Sequence, residues 1–471
     1  MRLRFVTCGL ALLATTASSA AMAQALTPEE TAKIDLIVAE NLANTGVPSA
    51  SIAIVRGGQI VFTKAYGKQS ETMKSPSVAA PYQIASVSKQ FTAAALLLLE
   101  DQGKLSLDDM VSKYLPGVTD GDKIALRQLL SHTSGLQDYW PQDYSFQAME
   151  TPTTPQQIVD RWGKKPLDYA PGTKWQYSNT GYVVAGMIVE KVAGISLINF
   201  LEANVFKPLG MKAMDQDLAM GPKYPQGYHR YALGPVRIAT PAAHGWLFAA
   251  GELSMSPTDL AKWNIARINR TVLPADDWAA QETPVVLPDG RNTGYGLGVV
   301  TRTGADGRRF VEHGGEAVGF LTENIVYPDD KAAIVVAVNA DFGDAQGTIA
   351  KGIADLILPP RPPAATDPEV AKTAQARAIF NAMRAGTLDP AKMTEDWNYF
   401  FTGTAAEDYK ASLGPLGDPI SFEPLGPPRL RGGFVNRNYR VTYPDRKLTV
   451  ISYAEPGDTG RYEQFLVMPA Q

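Results

Sequence analysis

Hydrophobic alternation marks β-strands at both ends of one long segment. The stretch SASIAIVRGGQIVFTKAYG, residues 49–67, has two β-branched runs on either side of Gly57 and Gly58, which is typical of a β-hairpin. Strand patterns return much later, with turn residues between successive runs, in GYGLGVVTRT, RRFVEHGG, GFLTENIVYP and KAAIVVAVNA. Two strands at the start and four at the end predict a single antiparallel sheet that is interrupted by an insertion.

The insertion and its flanks show helical patterns instead. One helix is predicted over residues 28–43, and another in FTAAALLLLEDQ, which is rich in strong helix formers and is followed by Gly103. From about residue 105 to 287 the pattern is mainly helical, as in NTGYVVAGMIVEKVAGISLINFL. The predicted fold class is α/β in the α+β sense, with an antiparallel sheet flanked by helices and a large helical insertion.

A proline-rich segment divides the chain. Residues 358–368, LPPRPPAATDP, place five prolines in eleven positions and predict an extended linker. Beyond it, helical patterns and then three strand patterns predict a small α+β accessory domain over residues 369–471. The main domain is predicted to cover residues 24–357. No internal repeat or low-complexity tract is present in the sequence.

The first 23 residues have the layout of a cleavable secretory signal. Arg2 and Arg4 precede an apolar run over residues 5–14, and small residues follow as far as Ala23. Cleavage is predicted before Gln24. The alternative is an N-terminal membrane anchor, but the apolar run is short for a bilayer and no second candidate follows. The sequence therefore predicts a periplasmic or secreted protein without stable membrane insertion.

Composition excludes several classes of site. Cys8 is the only cysteine and lies in the predicted signal, so the exported chain would contain no thiol and no cysteine metal site. Removal of the signal leaves 42 Lys and Arg against 48 Asp and Glu, a net charge of −6, which gives no support for nucleic-acid binding. The four histidines, His132, His229, His244 and His313, do not fall at metal-ligand spacing. We expect neither a metal nor a cofactor.

A serine and a lysine stand three residues apart at the start of the most apolar helix. Residues three apart on a helix share a face, so Lys89 can reach the hydroxyl of Ser86 and accept its proton. The amino end of a helix also favours an oxyanion and disfavours a charged ammonium. The alternative is that Ser86 is an ordinary N-terminal cap. SVSK is the only S-x-x-K in the chain, and it follows a predicted strand pair, which favours the catalytic interpretation.

Two further polar clusters could complete such a site. Tyr177, Ser178 and Asn179 lie in a turn-rich stretch just before a helix, so their side chains could project into a cleft. The second cluster is HGG at 313–315, at the end of a predicted strand, where glycine lets a substrate backbone approach closely.

Taken in order, these three motifs resemble those of the class C beta-lactamase-related serine hydrolases, a family that includes penicillin-binding esterases and D-aminopeptidases. LLSHTSGL at 129–136, AAGELSMSPTDLAKW at 249–263 and YGLG at 295–298 are also similar to recurring segments of that family. The resemblance covers roughly residues 28–357 and leaves out the tail. It implies a beta-lactamase/transpeptidase-like fold.

The resemblance also implies a role for each motif residue. Ser86 would be the acylated nucleophile, and Lys89 with Tyr177 would handle the proton. Asn179 would bind the carbonyl or amide on the acyl side of the substrate. His313 and Gly315 would line the cleft beside the leaving group. The backbone N–H groups of Ser86 and Glu316 would form the oxyanion hole, where each donor contributes roughly 3 kcal/mol.

The third motif departs from the K-T-G of true lactamases and DD-peptidases, whose lysine and hydroxyl grip a substrate carboxylate. A histidine with a pKa near its reference value of about 6.5 is largely neutral at pH 7, and Gly314 has no side chain. The predicted function is therefore hydrolysis of small esters or amides, including short peptides, in the manner of an esterase or D-aminopeptidase.

Other interpretations stay open. A beta-lactamase or DD-peptidase is the alternative within enzymes, and a non-catalytic cell-wall-peptide binding protein is the alternative from another class. His132 is expected to be a packed, hydrogen-bonded structural residue, whereas His229 and His244 could be loop residues or could line a pocket. The sequence does not choose a role for the tail, and it leaves a homo-oligomer open.

Overall fold

The computed structural model describes residues 25–140, 147–232, 234–304, 306–359, 368–457 and 459–470. These residues form two compact units, which divide between residues 360 and 361. The predicted signal, its cleavage point and most of the predicted linker lie outside the described residues. Each unit is described by itself.

The first unit contains eleven described strands. In chain order they are β1 (Ser49–Arg56), β2 (Gln59–Gly67), β3 (Tyr82–Gln83), β4 (Ala213–Asp215), β5 (Tyr228–His229), β6 (Arg237–Ile238), β7 (Leu253–Met255), β8 (Val300–Thr303), β9 (Arg309–Ala317), β10 (Phe320–Tyr327) and β11 (Ala332–Val338). Six of them form the main sheet in the order β2-β1-β11-β10-β9-β8, and every neighbouring pair is antiparallel. The predicted sheet, with two strands from the start and four from the end, is confirmed.

The strand predictions differ from the structure in several places. The strand expected in GYGLGVVTRT begins only at Val300, and Tyr295 joins it through a single bridge. The segment between residues 105 and 287, predicted as mainly helical, also contains the four short strands β4 to β7. Strands of two or three residues carry too few positions to show a period of two, so hydrophobic pattern does not reveal them.

Ten α-helices of this unit are described. They are α1 (Pro28–Thr45), α2 (Lys89–Asp101), α3 (Leu126–Leu130), α4 (Pro155–Ile158), α5 (Asn179–Ala193), α6 (Leu197–Leu201), α7 (Phe248–Gly251), α8 (Pro257–Asn269), α9 (Ala275–Glu282) and α10 (Ala345–Ile357). α1 begins with a capping box between Thr27 and Glu30, and its C-cap is Gly46, whose φ of 76° an L residue rarely adopts.

The main sheet is buried on both faces. Ile52 and Ile54 of β1 pack into a core that also contains Ile34 of α1 and Ile349 of α10. The alternate residues of β1, including Val55, pack into the larger core of the helical insertion. Because successive residues of a strand point to opposite faces, burial of both faces makes β1 almost continuously apolar.

The second unit is α+β. Its helices are α11 (Pro368–Ala385), α12 (Glu395–Phe400) and α13 (Thr404–Leu413), and its strands are β12 (Ser421–Pro424), β13 (Arg429–Arg431), β14 (Phe434–Thr442), β15 (Lys447–Ala454) and β16 (Tyr462–Pro469). The sheet order is β12-β14-β15-β16, and β13 also pairs with β14. Phe380, Tyr439 and Phe465 are at the centre of its own core. The predicted fold class is confirmed.

Among the described residues, no single helix has both the length and the apolar composition to cross a membrane. Asn179–Ala193 and Leu197–Phe206 pass that test only as a pair bent by 69°, on length and composition alone.

Candidate active site

Ser86 lies in a single 3₁₀ turn, Ala85–Ser88, that runs directly into α2 at Lys89. Ala85 has a φ of 45°, in the left-handed region that a residue with a β-carbon rarely adopts. Such backbone strain persists only where the surrounding structure holds it in place. The nucleophile candidate therefore lies at the amino end of a buried helix, as the sequence pattern predicts.

Lys89 is completely buried beneath Ser86. Its Nζ donates to Ser86 Oγ at 3.0 Å, to Asn179 Oδ1 at 2.8 Å and to the carbonyl oxygen of Ala250 at 2.7 Å. Burial lowers the pKa of Lys89 to about 7, and the charge of Asp138 acts in the opposite direction. A neutral amine has one lone pair and two protons, so near neutral pH this nitrogen can accept the proton of Ser86 while it still donates to two oxygens.

Tyr177 places its ring against both Lys89 and His132. Lys89 Nζ is 4.9 Å from the centre of the Tyr177 ring, and the His132 and Tyr177 ring centres are 4.1 Å apart. Burial raises the pKa of Tyr177 well above its usual range, against a smaller lowering by a hydrogen bond with Ser86. Tyr177 therefore keeps its proton at neutral pH, and Lys89 is the group of the pair that can act as a base.

His132 is buried and hydrogen-bonded, as predicted from sequence. Its Nδ1 accepts a hydrogen bond from the backbone N–H of Ser178 at 3.1 Å, and its φ is 59°. Burial, together with the nearby Lys89, lowers the pKa of His132 well below its usual value. A neutral imidazole thus supports the Tyr177 ring without adding a positive charge beside Lys89.

Asn179 is the first residue of α5, and its side chain bridges two charged groups. The Ser178 hydroxyl caps this helix by accepting from Gly181 N–H at 3.2 Å. Asn179 donates from its backbone N–H to Asp138 Oδ1 at 3.0 Å and from Nδ2 to Asp138 Oδ2 at 3.2 Å. Its Oδ1 faces Lys89. Asp138 was not predicted, because no local pattern links residues 41 positions apart.

His313 on β9 has both ring nitrogens occupied by protein groups. Its Nδ1–H donates to the Gly314 carbonyl oxygen at 2.6 Å, and its Nε2 accepts from the Tyr295 hydroxyl at 2.8 Å. Burial and the neighbouring Lys89 lower the pKa of His313 to about 4. His313 is thus neutral at pH 7, and neither nitrogen is left to grip a substrate carboxylate.

Gly315 brings β9 against the turn that carries Ser86. A β-carbon at Gly315 would lie 2.1 Å from the carbonyl oxygen of Ile84, whereas one at Gly314 would meet only the Thr322 carbonyl oxygen, at 3.8 Å. The sequence predicts that a substrate backbone approaches closely at the glycines of HGG. At Gly315 the close approach is made by the backbone of Ile84. It is Gly314 that is exposed and leaves open space.

These side chains open onto one cleft of about 600 Å³. Its lining includes all the predicted site residues except Lys89, which lies beneath Ser86; they are Ser86, Tyr177, Asn179, His313, Gly315 and Glu316. Asp138, Trp140, Leu247 and Glu323 also line it. His229 and His244 do not.

The described lining of the cleft contains three carboxylates and no Lys or Arg. The carboxylates belong to Asp138, Glu316 and Glu323. Burial raises the pKa of Glu323 to about 7, and the nearby charges of Glu312 and Asp344 act in the same direction. Among the described residues no group of His, Cys, Asp or Glu has the arrangement of a metal site.

Comparison with protein families and with known proteins finds a family match over most of the first unit. A family model described as Beta-lactamase matches residues 34–357. Penicillin-binding protein 4* of Bacillus subtilis (strain 168) is 27% identical over 314 residues, which cover 62% of this chain and 68% of that protein. Protein flp of Staphylococcus aureus (strain MW2) is 30% identical over 254 residues, which cover 52% of this chain and 50% of the relative. The matched region thus spans about half the length of that relative.

Solved structures agree with this match. A D-stereospecific amidohydrolase from Streptomyces sp. superposes with a TM-score of 0.60 at 30% identity, covering 70% of this chain and 99% of that one. An octameric penicillin-binding protein homologue from Pyrococcus abyssi has a TM-score of 0.61 at 21% identity and covers 93% of this chain and 99% of that one. The second likeness extends over most of the chain and concerns the fold alone.

Proposed function

This chain belongs to the Beta-lactamase family of serine hydrolases, and we propose that it hydrolyses small esters or amides through an acyl-enzyme at Ser86. The observation that carries the proposal is the 3.0 Å contact between Ser86 Oγ and the fully buried Nζ of Lys89. Because the pKa of Lys89 is lowered to about 7, a serine and a matched base are already in contact.

The first half of the proposed reaction acylates the serine. Neutral Lys89 takes the proton of Ser86 as Oγ attacks the substrate carbonyl carbon. When the tetrahedral intermediate collapses, Tyr177 gives its proton to the leaving group and recovers one from Lys89. The leaving group thus departs as an alcohol or amine with the Tyr177 proton, the proton from Ser86 restores Tyr177 by way of Lys89, and the acyl group stays on Ser86.

Water completes the reaction through the same groups. A water molecule loses a proton to Lys89 as it attacks the acyl carbon, and that proton returns to Ser86 Oγ when the acid leaves. In both halves the backbone N–H groups of Ser86 and Glu316 would bind the oxyanion. The tight packing of Gly315 on Ile84, which holds β9 beside the nucleophile turn, supports this placement.

The charges of the cleft support amine-bearing or neutral substrates. A carboxylate-bearing β-lactam or peptide would meet Glu316 and, above about pH 7, the ionised Glu323, with no lysine or arginine in the described lining to balance its charge. His313 is neutral with both nitrogens occupied. The similar Streptomyces structure is named as a D-stereospecific amidohydrolase. We therefore favour an esterase or D-aminopeptidase over a beta-lactamase or DD-peptidase.

The acyl-enzyme is tested by treating the protein with a fluorophosphonate probe and mapping the adduct by peptide mass spectrometry. Ser86 is the expected site, and Ser86→Ala should lose both the label and the turnover of p-nitrophenyl butyrate. Labelling at another residue would contradict the mechanism. Equal inertness of wild type and Ser86→Ala towards esters, amides and β-lactams would favour a binding protein instead.

Substrate preference is tested with p-nitrophenyl butyrate, D-alanine p-nitroanilide and a chromogenic cephalosporin on one preparation. We expect a higher kcat/KM for the ester or the anilide. A higher value for the cephalosporin would overturn that preference and leave the acyl-enzyme in place. Export by the predicted signal and assembly into a homo-oligomer, as in the octameric Pyrococcus homologue, are further proposals, which signal processing and light scattering would test.

A further inference from the structure

Asp138 is linked to the candidate active site by hydrogen bonds from Asn179. Its Oδ1 accepts from the backbone N–H groups of Asn179 at 3.0 Å and Trp140 at 3.2 Å, and its Oδ2 accepts from Asn179 Nδ2 at 3.2 Å. The residue lies just after the LLSHTSGL segment and lines the cleft. The carboxylate therefore accepts a hydrogen bond from the Asn179 side-chain nitrogen, while the side-chain oxygen of Asn179 contacts Lys89.

A carboxylate in this position decides which way the Asn179 amide points. Burial raises the pKa of Asp138 above its usual value, and the hydrogen bonds from Trp140 and Asn179 and the charge of Lys89 act against that shift. The ionised carboxylate accepts hydrogen bonds and donates none, so it selects the Nδ2 end of the amide and turns Oδ1 towards Lys89 Nζ. The reverse orientation would place two oxygens together at Asp138 and two nitrogen donors together at Lys89. An asparagine at position 138 could offer either an oxygen or an NH₂ group, and would not impose this choice.

Asp138 is also the carboxylate whose charge raises the pKa of Lys89. The other titratable groups around Lys89 are His132 and His313, whose pKa values burial lowers, and the phenols of Tyr177 and Tyr182, whose pKa values burial raises. All four are neutral at pH 7. Loss of the Asp138 charge would thus remove the negative charge that opposes the effect of burial on the pKa of Lys89.

We propose that Asp138 is a positioning residue of the acyl-transfer site, whose carboxylate orients the Asn179 amide towards Lys89 and supplies the negative charge that balances the Lys89 ammonium. The inference rests on the proposed function, since the orientation matters only if Lys89 exchanges a proton with Ser86. Asp138 acts through Asn179 and Lys89, and it forms and breaks no bond with the substrate.

The direct test is to follow protonation of Lys89 without using activity. In protein labelled with ¹⁵N-lysine, the Nζ signal that disappears in Lys89→Met is titrated by NMR in wild type, Asp138→Asn and Asp341→Asn. Asp341 is the matched control, because its Oδ2 likewise accepts a backbone N–H, from Gly319 at 2.9 Å, and it does not line the cleft. We expect a lower titration midpoint in Asp138→Asn and an unchanged midpoint in Asp341→Asn.

Kinetics test the second half of the proposal. With p-nitrophenyl butyrate, Asp138→Asn should lower kcat and move the acid limb of kcat/KM to lower pH. Asp138→Ala should lower kcat by about a hundredfold, the scale on which a misplaced functional group slows an enzyme. If Asp138 works through Asn179, Asp138→Ala combined with Asn179→Ala should be about as slow as Asn179→Ala alone. Thermal unfolding of each variant confirms that it is folded.

Each outcome has a defined meaning. Equal Lys89 midpoints in wild type and Asp138→Asn, or fully additive losses in the double variant, would overturn the role of Asp138 and leave the acyl-enzyme proposal standing. Failure of the wild type to react with the fluorophosphonate probe would overturn the proposed function, while the NMR titration would still report on the Asp138–Lys89 pair. A shifted midpoint together with a non-additive double variant supports the inference.

Discussion

Gly315 and Ile84 are packed so closely that position 315 has no room for a side chain. A β-carbon there would lie 2.1 Å from the Ile84 carbonyl oxygen, well inside contact distance. Ile84 immediately precedes the turn that carries Ser86. This contact therefore couples the edge of the cleft on β9 to the position of the nucleophile candidate.

Gly315→Ala is expected to push β9 away from the nucleophile turn. We expect a loss of roughly 1–3 kcal/mol in the free energy of unfolding, the usual range for overpacking, together with a lower kcat. Gly314→Ala is the control, because its β-carbon meets only the Thr322 carbonyl oxygen, at 3.8 Å. Urea unfolding of both variants measures the difference. Equal stabilities for the two would contradict the packing argument.

The rate should depend on the protonation of Lys89. Because acylation needs the neutral amine and the pKa of Lys89 is lowered to about 7, kcat/KM for p-nitrophenyl butyrate should fall as pH decreases through 7. His313, with a pKa of about 4, stays neutral in this range and should not contribute. Lys89→Arg, which is always charged, should be inactive. A flat profile between pH 5.5 and 9 would argue against lysine as the base.

Burial of Lys89 should also make stability depend on pH. Above pH 7 the folded protein loses the Lys89 proton, while the unfolded chain keeps it up to about pH 10.4, so the free energy of unfolding rises with pH in this window. Lys89→Met lacks this dependence. Its stability relative to wild type should increase by roughly 3–4 kcal/mol as pH falls from 10 to 7, and then level off. A constant difference across that range would show that Lys89 is not desolvated.

Tyr177→Phe separates the proton-transfer role of the hydroxyl from the packing of the ring. The phenylalanine ring can still stack on His132, whose centre is 4.1 Å away in the wild type. We therefore expect unfolding temperatures close to wild type, but a kcat lowered by about 10²–10⁴, the range for a lost general acid or base. If Tyr177→Phe keeps the wild-type kcat, then another group or water, and not Tyr177, protonates the leaving group.

The sequence could predict the features that repeat or that lie close together along the chain. The apolar runs that become β1 and β11 are visible without a structure, because a period of two and β-branched residues are local properties. Ser86 and Lys89 could be paired for the same reason, since one turn of helix joins them. The order of the three motifs then indicated that Tyr177, Asn179 and His313 belong to one site.

What the sequence could not predict are contacts between distant segments. Asp138 holds Asn179 across 41 residues, and the Ala250 carbonyl accepts from Lys89 across 161. Neither contact has a periodic signature, because packing among helices and loops that are distant along the chain brings the partners together. Tyr295 and Gly314 occupy both ring nitrogens of His313, and this too is visible only in the structure, because it depends on the orientation of the ring.

The sequence by itself determined the fold class and brought forward Ser86 and Lys89 as the candidate nucleophile and base, because these depend on local periodicity and on residues one helical turn apart. Tertiary structure decided the chemical state of the site. Burial, which no single residue type encodes, lowers the pKa of Lys89 to about 7 and keeps His313 neutral. Close packing, through Asp138 on Asn179 and Gly315 on Ile84, decided how the Asn179 amide and the turn that carries Ser86 are oriented.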